Sequence, residues 1–375
     1  MKRFLDLLRR ARVGEPPLSR TISLEDPRVA KDPCPVYELL RREGSVVHLP
    51  LHGFWLVLGY EAAREVFAAP GRFSSSPYGF VDGGTLLSLD PPRHAPVRRI
   101  VSRAFGGEAL RRAESLAAQT GAALIRPRME VVRGFARPVS RTVAAGLIGF
   151  DSQALEAIAS VEDEAEASGA PDAFSRICAV LDDLAPRAGM FERFKEDGAG
   201  LLCAEEVRSL VRLLWLASSA TTERTLSYAV LRLVEDPALH RRLREEPGLI
   251  PAFVDEVARL DPPENLIRRR VMSATDLAGA SLPAGAELNI CLPAVNRDPA
   301  VFDAPAELRL DRDDRGKISF GSGIHHCVGG PMARRVIAAA IDAFVQGSES
   351  PRLDGEIQWT STMIARAPRE LRIRT

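Results

Sequence analysis

Cysteine is scarce in this chain. Its 375 residues include only Cys34, Cys178, Cys203, Cys291 and Cys327, an odd number at irregular spacings. That excludes a disulfide framework and fits a reduced, cytoplasmic setting. Net charge is missing as well, since 50 Lys and Arg balance 50 Asp and Glu. Nothing in that balance points to nucleic acid or to an anionic membrane. No run approaches the roughly 20 apolar residues of a membrane span. The amphipathic stretch 1–10 lacks the apolar centre of a signal peptide, so a soluble protein is expected. Internal repeats and low-complexity linkers are absent. Aromatic residues make up 6% of the chain, too few to define the shape of a ligand pocket.

Against these absences, 46% of residues are hydrophobic and 27% charged, as suits a globular protein with a large core. Length alone allows one large domain or two or three small ones. One stretch stands out: Phe320-Gly321-Ser322-Gly323-Ile324-His325-His326-Cys327-Val328-Gly329-Gly330, a glycine-rich loop presenting a cysteine. Pro331 then opens a helix whose buried face is Val336, Ile337, Ala340, Ile341 and Phe344, at helical spacing. A cysteine before a helix N-terminus sits where partial positive charge favours thiolate. Three chemistries compete for it. Zinc needs ligands two to four residues apart and a second pair elsewhere, which the chain lacks. A nucleophile needs a base, which His326 or a distant histidine supplies. An axial thiolate to haem iron needs backbone that approaches a flat macrocycle, which Gly321, Gly323 and Gly329 permit.

Along the chain, residues 1–33 are charged and punctuated by proline. A helix is predicted over 35–42, a hairpin over 46–58 around His52-Gly53, and a helix over 60–68. His48 and His52 read as solvated strand or turn residues. Residues 74–84 read as a loop with Tyr78, Phe80 and Val81 as its apolar members. In 87–105, Asp90 reads as a cap and Pro91-Pro92 as the start of a helix, with His94 and Arg98 four apart on one face. That pair suits two carboxylates or one dianion. Residues 137–149 read as a buried helix, and 151–200 as acidic, alanine-rich helices forming a mobile cover. Cys178, Cys203 and Cys291 read as small core side chains. Residues 204–235 form one helical pattern about 48 Å long at 1.5 Å per residue. Its centre, Leu213-Leu214-Trp215-Leu216-Ala217-Ser218-Ser219-Ala220-Thr221-Thr222, is uncharged and therefore buried. Hydroxyls at mid-helix bond back one turn and make room beside it. Glu256 and Arg259 lie three apart on the next helix, which Pro262-Pro263 ends. Glu108/Arg111 and Glu205/Arg208 share that spacing, so context must distinguish them. The tail 347–375 reads as strand and turn, with 359–364 as a loop tip.

The cysteine loop resembles that of the cytochrome P-450 family, F-G-x-G-x-H-x-C-x-G followed by a helix carrying A-R. Phe320, Gly321, Gly323, His325, Cys327, Gly329, Ala333 and Arg334 all fall on the pattern; Met332 replaces a usual leucine, and Pro331 is less usual. The resemblance covers roughly residue 30 to the C-terminus. It implies a mainly α fold with small β-sheets, with haem b (iron protoporphyrin IX) between the long central helix and the cysteine loop. The chain is then one haem-thiolate domain over 1–375, with 1–30 a poorly determined segment and no fused reductase. Cys327 is the implied iron ligand. His94, Arg98, Arg269 and His325 are the implied partners of the haem propionates, with Arg268 and Arg270 beside Arg269 in a run of three. Phe320, Gly321 and Gly329 complete the cofactor loop. Arg312 joins Glu256 and Arg259 in a structural network. Thr221, with Ser218, Ser219 and Ala220, occupies the family's oxygen groove, usually A-G-x-(D/E)-T. Ala217 and Thr221 match it, but Ser218 replaces the glycine and Ala220 the acid, while Glu223 lies nearby at a different position. The implied substrate pocket is Tyr78, Phe80, Val81, Trp215, Ala217, Leu266, Ile267 and Met363.

The implied activity is a monooxygenase that hydroxylates or otherwise oxidises a small apolar organic substrate in secondary metabolism. Electrons come from a separate ferredoxin and ferredoxin reductase, with Arg334 and Arg335 as one docking candidate. A monomer without membrane or nucleic-acid contact is expected. Ala220 favours an alternative, a peroxide-driven or coupling and epoxidising haem-thiolate enzyme. A non-catalytic haem-binding protein is the alternative of another class.

Overall fold

The computed structural model describes residues 16–313 and 316–375; the amphipathic stretch 1–10 lies outside them. Helices dominate, and the described strands form four small sheets of five, three, two and two strands. The chain divides into two compact units, each assembled from separated segments.

The first unit comprises Met1–Pro77, Ala252–Cys327 and Glu356–Glu370. Its five-stranded sheet begins with the hairpin Val46–Leu49 and Phe54–Val57. Gly53, at φ 71°, supplies the left-handed turn residue that an L side chain adopts at a cost. Phe54–Val57 runs parallel to Glu287–Cys291, which pairs antiparallel with Leu266–Val271, and Phe73–Ser74 closes the far edge. The helices Cys34–Glu43 and Tyr60–Ala68 contribute Leu40, Val36, Ala63 and Val66 to the two cores beside this sheet. Cys291 is wholly buried there, and burial pushes its thiol up to about 12, so it acts as a small apolar side chain. His52 is not a solvated turn residue. Its Nε2 accepts the Leu24 N–H at 2.9 Å and ties down the segment before the sheet. The strand Gln358–Ser361 pairs with Arg366–Glu370, so 359–364 is half strand, with its tip at 362–365.

The second unit comprises Tyr78–Pro251, Val328–Gly355 and Leu371–Thr375. It is built on the helix Ala204–Glu235, whose ends coincide with those read from the pattern. Leu210, Val211, Trp215, Leu226, Ala229, Val230 and Leu233 are buried along it. The helices Arg137–Ile148, Ala173–Leu184, Gly189–Asp197 and Gly330–Gly347 pack against it. Gly330–Gly347, the helix after the cysteine loop, also packs closely on Gly107–Leu124. A Cβ on Gly121 would lie 3.4 Å from the Ala343 Cβ, so small residues set that approach. A three-stranded sheet of Arg128–Glu130, Arg372–Arg374 and Arg352–Leu353 completes the unit.

Four expectations change here. The prolines do not start a helix: Pro91 and Pro92 form a turn, and the helix is His94–Arg103, with the Asp90 main-chain carbonyl accepting the His94 N–H at 3.2 Å. Cys203 is exposed at the cap of the long helix rather than buried in a core. Residues 74–84 are not all loop, since they hold the turn Ser76–Tyr78 and the one-turn helix Gly79–Asp82. The first helix of the expected mobile cover, Ser152–Ser168, is tied down by ion pairs of Glu162, Asp163 and Glu166 to Arg133, Arg137 and Arg141.

His240 pins the helix after the cysteine loop. It is buried, its Nε2 lies 3.1 Å from Ser348 Oγ at the end of Gly330–Gly347, and Arg244 donates to the Ser348 carbonyl at 3.0 Å. Burial, helped by the Arg244 charge, holds its pKa below the ordinary value. A base whose folded pKa is depressed binds fewer protons folded than unfolded, so stability rises with pH. The contribution is fully present above the unfolded value of about 6.5 and is lost as pH falls through the folded one. Urea melts between about pH 7.5 and 5.5 test this: the wild type loses stability on acidification, and His240→Gln shows a flatter profile. An identical slope in the variant would remove His240 from the account.

Candidate functional site

Residues Phe320 to Cys327 of the loop motif lie within the first unit. Gly321 and Gly323 stand at φ 70° and 69°, in the left-handed region. The Cys327 N–H donates to the Phe320 carbonyl at 2.9 Å and the His326 N–H to the Gly323 carbonyl at 3.1 Å. These bonds fold 320–327 into a compact arch with Cys327 exposed on it and His325 half-buried. The helix Tyr60–Ala68 lies against the arch. Asp298 accepts the Tyr60 N–H at 2.8 Å and fixes the start of that helix. At its other end the Phe67 carbonyl meets Gly323 so closely that a Cβ there would overlap it. Arg269, only 4% exposed, lays its guanidinium over the Phe67 ring at 5.5 Å. Among the three neighbouring arginines, Arg268 is paired with Glu287 and Arg270 is exposed, donating to the Gly285 carbonyl. Arg269 is thus the one buried beside the arch.

Behind the arch lies Glu256, fully buried, with Arg259 gripping its carboxylate in two bonds of 2.8 Å. Arg312 Nε and Lys317 Nζ approach the same carboxylate at 3.3 and 3.5 Å, and the Arg309 N–H donates to it at 3.0 Å. Burial would push this carboxyl up; the Arg259 bonds, the Arg309 N–H and the Lys317 charge outweigh it and hold the pKa below the ordinary value. The remaining Arg259 donors take the carbonyls of Asn296, Pro305 and Glu307. Asn296 in turn accepts the Ile318 N–H at 3.1 Å and donates to Ser319 Oγ, so the network runs directly into the start of the arch. Arg312 thus shares the Glu256 carboxylate with Arg259. Lys317 and Asn296 were not read from the sequence. Asn296 carries no charge, and Lys317 belongs to no spacing pattern.

The second unit holds the other candidates. His94 is buried at the start of His94–Arg103, with Arg98 half-buried one turn on. Burial, then the Arg98 charge, holds the His94 pKa below the ordinary value. Arg93 pairs with Glu206 and fastens this region to the first turn of the long helix. Phe105, just beyond the same helix, packs its ring on Gly329, where a Cβ would lie 3.4 Å from it. On the long helix every candidate hydroxyl bonds back one turn. Ser218 Oγ donates to the Leu214 carbonyl at 2.6 Å, Ser219 Oγ to Trp215 at 2.8 Å and Thr221 Oγ1 to Ala217 at 2.6 Å. Ala220 is half-buried among them. Glu223 does not reach this stretch as an acid, because Arg137 holds both its oxygens, at 2.9 and 3.3 Å. Of the expected pocket residues in this unit, Tyr78 and Val81 are half-buried, Ala217 is exposed, and Phe80, 61% exposed, lies tilted against Phe174 at 6.3 Å. Trp215 is enclosed in the core, with Phe150 against its ring and its Nε1 donating to Glu162 at 3.0 Å. In the first unit, Leu266 is buried, Ile267 half-buried, and Met363 packs on the core that contains Leu266.

The cytochrome P450 family model matches residues 187–347. Over 349 residues the chain is 31% identical to Cytochrome P450 144 of Mycobacterium tuberculosis, covering 81% of this chain and 80% of that one. This chain belongs to the cytochrome P450 family. Over 383 residues it is 29% identical to the cytochrome P450 monooxygenase PikC of Streptomyces venezuelae, covering 92% of this chain and 91% of PikC. The P450 heme domain of Tepidiphilus thermophilus shares the fold at a TM-score of 0.85 and 22% identity, covering 96% of this chain and 97% of that one. Cytochromes P450 bind haem b through a cysteine, and this chain is accordingly a haem-dependent oxidoreductase of the monooxygenase kind. No described helix is long and apolar enough to cross a membrane.

The residues present fit haem. Cys327 offers an exposed soft donor on an arch that leaves Gly321 open, since a Cβ there meets nothing nearer than the His325 carbonyl at 3.9 Å. Arg269, buried beside the arch, matches a carboxylate-bearing group in charge and donor type. Among the described residues, no group of three or more His, Cys, Asp or Glu is placed to share a metal ion.

The two left-handed glycines should differ in tolerance. Gly321→Ala meets open space and carries only the cost of its φ, about 1–2 kcal/mol. Gly323→Ala adds an overlap with the Phe67 backbone, so its loss should reach about 3 kcal/mol or more. Thermal melts of the two variants check this; equal losses would show that the arch does not rest on Phe67.

Proposed function

We propose that this cytochrome P450 hydroxylates or epoxidises a small apolar organic substrate of secondary metabolism, with Cys327 as the iron ligand and electrons delivered by a separate ferredoxin and its reductase. The observation that carries the reading is the Cys327 arch, backed by a buried network that ends at Ile318 and Ser319, just before it. Relatives bearing hydroxylase and epoxidase names support the reaction class. The chain is one haem-thiolate domain in this reading, and neither of its two compact units is a continuous stretch.

Haem supplies the activation of dioxygen and the insertion of one oxygen atom into the substrate. The chain's own residues hold the cofactor, exclude charge and handle protons. Arg269, His94, Arg98 and His325 are the donors assigned to the propionates in this reading. Phe320, Gly321 and Gly329 keep the thiolate's surroundings compact. Tyr78, Phe80, Val81, Ala217, Leu266, Ile267 and Met363 offer apolar surface to the substrate, and Trp215 backs that surface from within the core. Protons are the distinctive point. Ser218, Ser219 and Thr221 have given their hydroxyl hydrogens to main-chain carbonyls and present only lone pairs. Passing a proton along them means rotating a hydroxyl out of a bond worth about 1 kcal/mol. A carboxylate would make this easy, but Ala220 has none and Glu223 is held by Arg137.

That shortage favours a second reading, in which peroxide, already carrying two electrons and two protons, is the oxidant. Arg334 and Arg335 are the docking candidates for an acidic ferredoxin, and Arg335 also pairs with Glu114 at 2.8 Å. Turnover on dioxygen with ferredoxin and reductase, set beside turnover on hydrogen peroxide, separates the readings. In the first, product carries one atom from labelled dioxygen, and Ala220→Asp raises the fraction of electrons recovered in product several-fold. Product with peroxide alone, and no gain from the aspartate, would favour the second.

A further inference from the structure

Leu213 to Thr222 carry no charge, yet an ionic framework grips the long helix around the hydroxyls at 218–221. Before them, Trp215 Nε1 donates to Glu162 Oε1 at 3.0 Å, and Arg141 Nε holds the other Glu162 oxygen at 2.8 Å. After them, Arg137 grips Glu223 with Nε and NH2 and turns NH1 to Glu166 at 2.8 Å. Arg137 and Arg141 are four apart on one helix, Glu162 and Glu166 four apart on another, so the two layers stack one turn from each other. Asp163 stitches the layers, at 3.5 Å from Arg137 and 3.1 Å from Arg141. The two arginine side chains are only 16% and 13% exposed. Solvent and salt therefore screen these pairs less than surface pairs, and pairs of this kind fix geometry more reliably than they add stability.

We infer that Arg137 and Arg141 are positioning residues that lock the long helix on both sides of residues 218–221 and couple that stretch to the helix Ser152–Ser168. Any shift of Ser152–Ser168 is felt at Trp215 and at Glu223 together, with Ser218, Ser219 and Thr221 between them. This coupling rests on the oxidative reading of that stretch, and the clamp itself does not. With Glu223 bound into the clamp, it serves to align the hydroxyls instead of supplying protons to them.

The test is amide hydrogen exchange of the holoenzyme, paired with the fraction of electrons recovered in oxidised product. In Arg137→Gln and Glu223→Gln, exchange at 217–222 should rise about tenfold, as expected when a charge-assisted bond on a half-buried helix is lost. Exchange in Gly107–Leu124 and Gly330–Gly347 should stay unchanged. Recovery in product should fall several-fold while the spectrum of the reduced carbonyl complex is retained. The charge swap Arg137→Glu with Glu223→Arg should restore both readouts in part. If Arg137→Gln does not fold, Arg137→Lys and the isosteric Glu223→Gln carry the same comparison. Unchanged exchange at 217–222, or an equal rise throughout the unit, would overturn the clamp. A wild type lacking the thiolate spectrum would defeat the functional reading instead, and the exchange pattern would still decide the clamp.

Discussion

One buried carboxylate holds the cysteine side of this protein together. Glu256 has no solvent around it, so it persists as a charge only because Arg259, Arg312, Lys317 and the Arg309 N–H surround it. Three cations around one carboxylate is not an economical way to gain stability, since desolvation consumes most of the attraction. It is an effective way to gather chain. Arg259 alone collects the carbonyls of Asn296, Pro305 and Glu307, and Asn296 passes the constraint to Ile318 and Ser319. Between Val295 and Gly323 the described residues hold no helix or strand ladder, and this network supplies partners for that segment. The arch then needs only two left-handed glycines and the backing of Phe67 to present its sulfur.

The long helix answers a different constraint. It must cross the core of its unit without charge and still keep room for polar chemistry. Hydroxyls bonded back to the main chain meet both demands, because they are satisfied when dry and remain acceptors when a donor arrives. The consequence is that acidity is absent where the family ordinarily keeps it. The one carboxylate within reach along the sequence, Glu223, is given over to holding the helix in place. In the proposed reading, cysteine-side geometry of the ordinary kind is thus combined with an oxygen-side stretch whose proton supply is limited.

Much of this was legible in the sequence, for reasons that differ by element. The long helix and Tyr60–Ala68 follow from apolar spacing and from breakers at their ends, and both were placed to the residue. The Cys327 motif carries its own geometry, because glycine is the residue that tolerates its two left-handed positions. Local signals failed where two readings share one signal. Pro91-Pro92 suits a first helical turn and equally the turn before it; Cys203 has apolar neighbours but sits at a cap. Long-range polar partners were illegible altogether. Glu223 looked like a stray acid near the site because Arg137 lies 86 residues away, and Asn296 and Lys317 acquire their roles only when the chain folds back on Glu256.

The proposed chemistry stands on Cys327 as the thiolate ligand of haem. The most direct measurement is the absorption spectrum of the reduced carbonyl complex in the wild type and in Cys327→Ser. The wild type should show the strongly red-shifted Soret band of thiolate ligation, and the serine variant should lose it. A wild type without that band, or a serine variant that keeps it, would contradict the assignment of Cys327 and the chemistry built on it.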